Sequence, residues 1–189
     1  MSPQHSNRSN LIEGTLRCLE RLPPERVTAR AIAEESGANL ASIAYHFGSK
    51  DNLVTEAVIE GLDRWLAEIE IGLRDLGSQE PALRLRRAAE VIETTRRRNA
   101  GLAVNFLGAL ARAQHDPRVR ELLAEGFRRT RPTIAVLLGL GSDQAGEDAA
   151  GLLHSQFTGL LFQVLLDPGL AIDGDRLERA LARLARVLP

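Results

Sequence analysis

The chain has 189 residues, 44% hydrophobic and 26% charged, with 16 Gly, 8 Pro and a net charge of −1. That is enough for one domain with a sizeable core, and the apolar fraction excludes a disordered chain. No uninterrupted apolar run reaches the roughly eighteen residues of a membrane span, and the opening MSPQHSNRSN lacks the apolar stretch of a signal peptide. The expectation is a cytoplasmic protein with no membrane partner.

The first helix is predicted from Leu11, Ile12, Leu16, Leu19 and Leu22, which recur at the spacing of one helix face. Pro23-Pro24 stops it. Cys18 lies on that stripe as buried filler, and a single cysteine excludes an intramolecular disulfide. A second helix starts at Thr28, whose hydroxyl can cap it, and ends at Ser36-Gly37. A third runs from about Asn39 to Phe47. Gly48-Ser49 breaks it, and Ser49 caps a long fourth helix reaching about Leu76, with Asp51 in its first turn. Five more helices are expected over roughly 80–98, 101–115, 117–139, 143–166 and 174–187. Asp116-Pro117 is a strong helix start, and Pro132 should kink the seventh helix. Strand signals are almost absent. The fold class is therefore all-α, with about nine helices: a small head of three short helices on a larger body of long ones.

The average charge conceals blocks. Residues 1–50 are near neutral, 51–83 acidic (net −6), 84–131 basic (net +7) and 132–189 mildly acidic. The acidic and basic blocks are expected to face each other across packed helices.

The informative segment is 28–53, TARAIAEESGANLASIAYHFGSKDNL. Two short helices meet at Ser36-Gly37-Ala38, where Gly37 suits a left-handed backbone. Ile32, Ala33, Ile43 and Phe47 point inward together, beneath the first helix's stripe. This helix-turn-helix leaves the second helix of the pair protruding. From Ser36 to Lys50 there is no acidic residue, as a rod laid among phosphates requires.

The pattern T-x-R-x-I-A-x-x-x-G followed by Y-H-F-G-S-K-x-x-L resembles the DNA-binding head of TetR-family transcriptional regulators, over about residues 9–58. The resemblance implies a helix-turn-helix DNA-binding domain over 1–50 and a helical ligand-binding and dimerisation domain over 51–189. It places Thr28 at a phosphate and Arg30 where some members reach a guanine edge; a solvated surface arginine is the other reading of Arg30. Asn39, Leu40, Ala41 and Ser42 fall on the leading turn of the recognition helix, although Asn39 could simply cap it. Ser42 matches a hydroxyl that bonds phosphate. Tyr45 and His46 match an aromatic pair that grips the backbone, with a packed histidine as the alternative for His46. Lys50 matches a phosphate-binding lysine. Many members carry a polar residue at Leu40 and an aromatic at Ala44. With these two and Ala41 apolar, readout would rest on thymine methyl contacts and DNA shape.

In the body, Phe157, Leu160, Leu161, Phe162, Val164 and Leu165 leave the eighth helix little polar face, and Leu177, Leu181, Leu184 and Leu188 stripe the ninth. The resemblance implies that Leu160, Leu161, Val164, Leu177, Leu181 and Leu184 form a homodimer interface; closing the monomer's own core is the alternative. It also implies a pocket for an unknown small-molecule effector, with Trp65, Asn105, Phe106, Phe127, His154 and Phe157 as candidates that could equally be ordinary core. A palindromic double-stranded operator would match two heads. The fourth helix, joining Lys50 to Trp65, would be the lever by which an effector releases a repressor from DNA. No H-E-x-x-H, no G-x-S-x-G and no histidine pair at ligand spacing occurs, so neither an enzyme, a metal site nor a cofactor is expected. A protein-interaction module with a vestigial head is the rival reading, and an enzyme with a novel site a remote one.

Overall fold

A computed structural model describes residues 3–74, 80–172 and 174–187. Among them run nine α-helices and no strand: α1 Pro3–Arg21, α2 Ala29–Ser36, α3 Leu40–Phe47, α4 Lys50–Leu73, α5 Pro81–Thr95, α6 Ala100–Ala113, α7 Pro117–Leu138, α8 Gln144–Leu166 and α9 Gly174–Leu184. Short 3-10 turns occupy Pro24–Arg26 and Pro168–Leu170. The helix order matches the sequence reading. α1 begins earlier than its apolar stripe, at Pro3, and α7 continues unbroken through Pro132. Leu76, the expected end of α4, and Leu188 in the expected stripe of α9 lie outside the described residues.

The local signals act as their chemistry requires. Thr28 Oγ1 accepts the Ala31 N–H at 3.1 Å, Asn39 Oδ1 accepts that of Ala41 at 3.0 Å, and Asp143 Oδ1 that of Gly146 at 3.0 Å. Gly37 closes α2 with φ 65°, a left-handed conformation, while the Ala38 N–H reaches back to the Ala33 carbonyl at 3.1 Å.

The chain forms two compact units. The first comprises Met1–Trp65 and Arg98–Gly126, the second Leu66–Arg97 and Phe127–Pro189. In the first, Leu11, Ile12, Cys18 and Leu19 of α1 are buried together with Ile32, Ile43, Phe47, Leu53 and Val58. The α1 stripe therefore covers the inner faces of α2 and α3. Two close approaches hold this unit. A Cβ on Gly14 would fall 2.6 Å from the Ser36 Cβ, and one on Gly101 would fall 1.9 Å from the Leu19 carbonyl oxygen. The second approach seats the start of α6 on the end of α1, so α6 belongs with the head although about fifty residues separate the two in sequence. In the second unit, Leu73, Ala88 and Leu138 make a buried cluster, lined by Ile69, Leu85, Ile134, Leu137, Leu140 and Leu153. Arg86 of α5 ties α9 by ion pairs to Asp175 at 2.7 Å and Glu178 at 3.2 Å.

The Gly101 contact is rigid because it meets backbone. Gly101→Ala is expected to lower stability by about 1–3 kcal/mol, as overpacking does. Gly108→Ala, in the same helix with nothing within 4 Å of its Cβ position, is expected to stabilise by about 0.5–1 kcal/mol. Urea unfolding midpoints of the two variants check this; equal shifts would mean that α1 and α6 do not meet as described.

Candidate nucleic-acid interface

An eight-residue helix can bury only one side. Ile43 and Phe47 face the core, so Ala41, Ala44 and Tyr45 fall on the other side and are exposed, Tyr45 to 72%, while Leu40, one turn before Ile43, is exposed because it opens the helix. Ser42 and His46 lie between the two faces, half-buried. The Tyr45 and His46 rings meet edge to face at 4.8 Å. Thr28 and Arg30 at the start of α2 are exposed. Lys50 opens α4, where Ser49 Oγ accepts the Asn52 N–H at 3.1 Å. The Lys50 ammonium pairs with Asp51 at 3.0 Å. The structure thus brings the candidate residues of α2, α3 and the α4 start onto one unit. Asn39 and Thr28 also serve as helix caps, and this commits one lone pair of each.

What fixes this arrangement was not named from sequence. Asn52 Nδ2 donates to the Phe47 carbonyl at 3.0 Å, joining the end of α3 to α4. The Arg8 guanidinium lies 5.1 Å over the Phe47 ring and pairs with Glu56. Arg118, at the start of α7, reaches the same Glu56 at 3.5 Å. Arg112 of α6 donates to the buried Thr55 hydroxyl and lies 3.8 Å from Asp51. The first turns of α4 therefore carry arginines from three other helices. The signal available in the sequence was the acidic block 51–83 set against the basic block 84–131. On the other side of the head, Arg17 donates to Glu35 at 2.7 Å, and Arg21 pairs with the same carboxylate. The Arg17 hydrogen bond chiefly holds the Glu35 carboxyl below the usual carboxylate range.

The model of bacterial regulatory proteins of the tetR family matches residues 11–57, and that of the C-terminal part of BetI-type transcriptional repressors matches residues 81–188, more than half of the chain. The chain belongs to the TetR family. The regulator PksA of Bacillus subtilis is 27% identical over 179 residues, covering 92% of this chain and 85% of PksA. BetI of Burkholderia mallei is 25% identical over 147 residues, 77% of this chain and 75% of BetI. A Saccharomonospora viridis protein crystallised in complex with choline is 25% identical with a TM-score of 0.60, covering 95% of each chain. This TetR-family member is thus a transcriptional regulator with a helix-turn-helix DNA-binding head and a ligand-binding body.

The pocket candidates divide between the units. Trp65, Asn105 and Phe106 lie in the first, with Trp65 and Phe106 buried and Asn105 Nδ2 donating to the Gly101 carbonyl at 2.9 Å. Phe127, His154 and Phe157 lie in the second, where the Phe127 and His154 rings stand 5.2 Å apart. Thr130 Oγ1, which donates to the Phe127 carbonyl, is 3.5 Å from His154 Nδ1. Of the interface candidates, Leu161 and Val164 are buried within the chain, Leu184 is exposed, and Leu160, Leu177 and Leu181 are half-exposed. Leu152 and Leu166 are the more exposed leucines of α8, at 74% and 86%.

Burial, with a smaller contribution from the Arg131 charge, lowers the His154 pKa from its ordinary value of 6.5. The folded state thus favours neutral imidazole. The contribution of this histidine to stability is complete above the unfolded pKa and is lost as pH falls from there toward the folded value. A urea midpoint that drops between about pH 7.5 and about pH 5.5, and drops less in His154→Gln, is expected. Equal pH dependence in the two proteins would remove His154 as its source.

Proposed function

We propose that the chain is a homodimeric repressor that binds a palindromic DNA operator through residues 1–50 and leaves it when a small-molecule effector binds the body, residues 51–189. The observation that carries this reading is the exposed side of α3. It has no carboxylate anywhere from Ser36 to Lys50, and the start of α4 stands beside it. Thr28, Ser42, Tyr45, His46 and Lys50 would hold phosphates, and Arg30, Asn39, Leu40 and Ala41 would meet base edges. Phosphate contacts fix position and base contacts choose sequence, so the two sets should respond differently to mutation.

One head touches few base pairs, and a two-fold axis doubles them. The dimer reading is supported by α8, which has 23 residues and is, among the described residues, the helix long and apolar enough by composition to cross a membrane. Only 22% of its most apolar window is buried within the chain. A partner's α8 and α9 would cover the rest without a membrane. The protein would then work in the cytoplasm, where its DNA lies. For the effector, support comes from the match to BetI-type repressors and from the similar protein that holds choline. The α4 helix begins at Lys50 and carries Trp65 on the same unbroken helix, so it is the element through which an effector would act on the head. A useful effector needs about 1–3 kcal/mol of coupling, and DNA would weaken effector binding by the same factor.

The test is binding of the full chain to duplexes selected from a random pool, followed over salt concentration. Affinity should fall steeply with salt. Lys50→Ala should weaken all sequences alike and reduce the salt slope by about one, whereas Arg30→Ala should cost about 1–3 kcal/mol at one base position. A salt-independent affinity would end the DNA-binding reading, and an unchanged slope in Lys50→Ala would take Lys50 off the DNA. Sedimentation equilibrium should give a dimer that Leu160→Glu with Leu184→Glu drives toward monomer; a wild-type monomer at micromolar concentration would end the two-fold reading.

A further inference from the structure

The arc of α3 that faces solvent is unusually short of hydrogen-bonding groups. Leu40, 52% exposed at the first position of α3, borders the face of buried Ile43 and Phe47, and exposed Ala44 and Ala41 continue from it around the same side of the helix. Tyr45 supplies that arc with one hydroxyl. α3 itself contains no arginine, lysine or amide side chain. The neighbouring Asn39 has one lone pair of its amide oxygen engaged by the Ala41 N–H at 3.0 Å, which restricts the orientation in which it could make a bidentate contact to adenine.

We propose that each operator half-site presents thymine 5-methyl groups to Leu40, Ala41 and Ala44, so that the recognition helix selects thymine by apolar contact. The inference rests on the DNA-binding reading and specifies what that surface selects. Among the groups the four bases show in the major groove, the thymine methyl is the apolar one, and the others are donors and acceptors. A leucine pressed against a donor or acceptor excludes water from it and returns no hydrogen bond, so the wrong base is penalised as well as the right one favoured. The occupant of this arc is a DNA groove rather than a protein, on grounds of charge. The patch is small, no carboxylate lies within residues 36–50, and Thr28, Arg30 and Lys50 belong to the same unit.

The test uses the full-length protein and the duplex it selects from a random pool. Thymines are replaced one symmetric pair at a time by deoxyuridine, which removes the methyl and leaves base pairing and every groove donor and acceptor in place. Affinity should fall by about fourfold per methyl lost, and roughly fifteenfold for a symmetric pair, at one or two thymine positions. Leu40→Ala, which truncates an exposed side chain, should bind the thymine duplex more weakly and bring the thymine-to-uracil ratio at one of those positions close to one. If a duplex is selected but deoxyuridine is tolerated at every thymine, the methyl-contact proposal is wrong while DNA binding stands. A uracil penalty that Leu40→Ala, Ala41→Ser and Ala44→Ser all leave unchanged would also overturn it. If no duplex is enriched, the DNA-binding reading fails and this inference fails with it.

Discussion

The head depends on how little of α3 can be buried. Two side chains, Ile43 and Phe47, lock one face of an eight-residue helix beneath α1 and α2, and the left-handed turn at Gly37 sets the angle between α2 and α3. Everything on the other face is then held outward by default. The exposure of Ala41, Ala44 and Tyr45 is a consequence of that packing, and Leu40 is exposed because it opens the helix. Only a firmly seated helix can present side chains to a groove at a fixed depth, so burial on one side is the condition for recognition on the other.

The end of that helix is secured by charge and hydrogen bonds rather than by more apolar area. Asn52 takes the Phe47 carbonyl, Arg8 covers the Phe47 ring, and Glu56 gathers Arg8 and Arg118. Arg112 satisfies the hydroxyl of Thr55, which is 1% exposed. The exposed pairs add little stability individually. Their importance is geometric, since they converge on the first two turns of α4, which begin at Lys50. Residues 98–126 join the first unit, so the start of α4 is held both by the head and by a segment from the middle of the chain. A movement of α6 would therefore be felt at α4 without crossing any loop.

α8 shows the opposite balance. It is apolar over most of its circumference, yet much of its surface stays uncovered in the single chain, with Leu152 and Leu166 among the most exposed large apolar residues. A helix of this kind is stable in water when something else covers it. Within the same unit, His154 sits beside Phe127 in surroundings that favour its neutral form.

The sequence by itself determined the order of the helices and many of their starts, because those signals are local. Thr28, Asn39, Ser49 and Asp143 cap within three residues of themselves, and Gly37 and Pro117 act at the position they occupy. It also determined the head and its family, because the turn glycine, the inward Ile32, Ile43 and Phe47, and the tract free of carboxylates lie within a few turns of one another. Only the tertiary structure decided that α6 packs on α1 through Gly101, that Arg112 finds Thr55 across 57 residues, and that Leu161 and Val164 are covered while Leu152 and Leu166 are not. Such choices leave no periodic trace. One arginine among many resembles another until folding brings a particular carboxylate or hydroxyl within reach, and an all-round apolar helix does not say which of its sides the chain itself will cover.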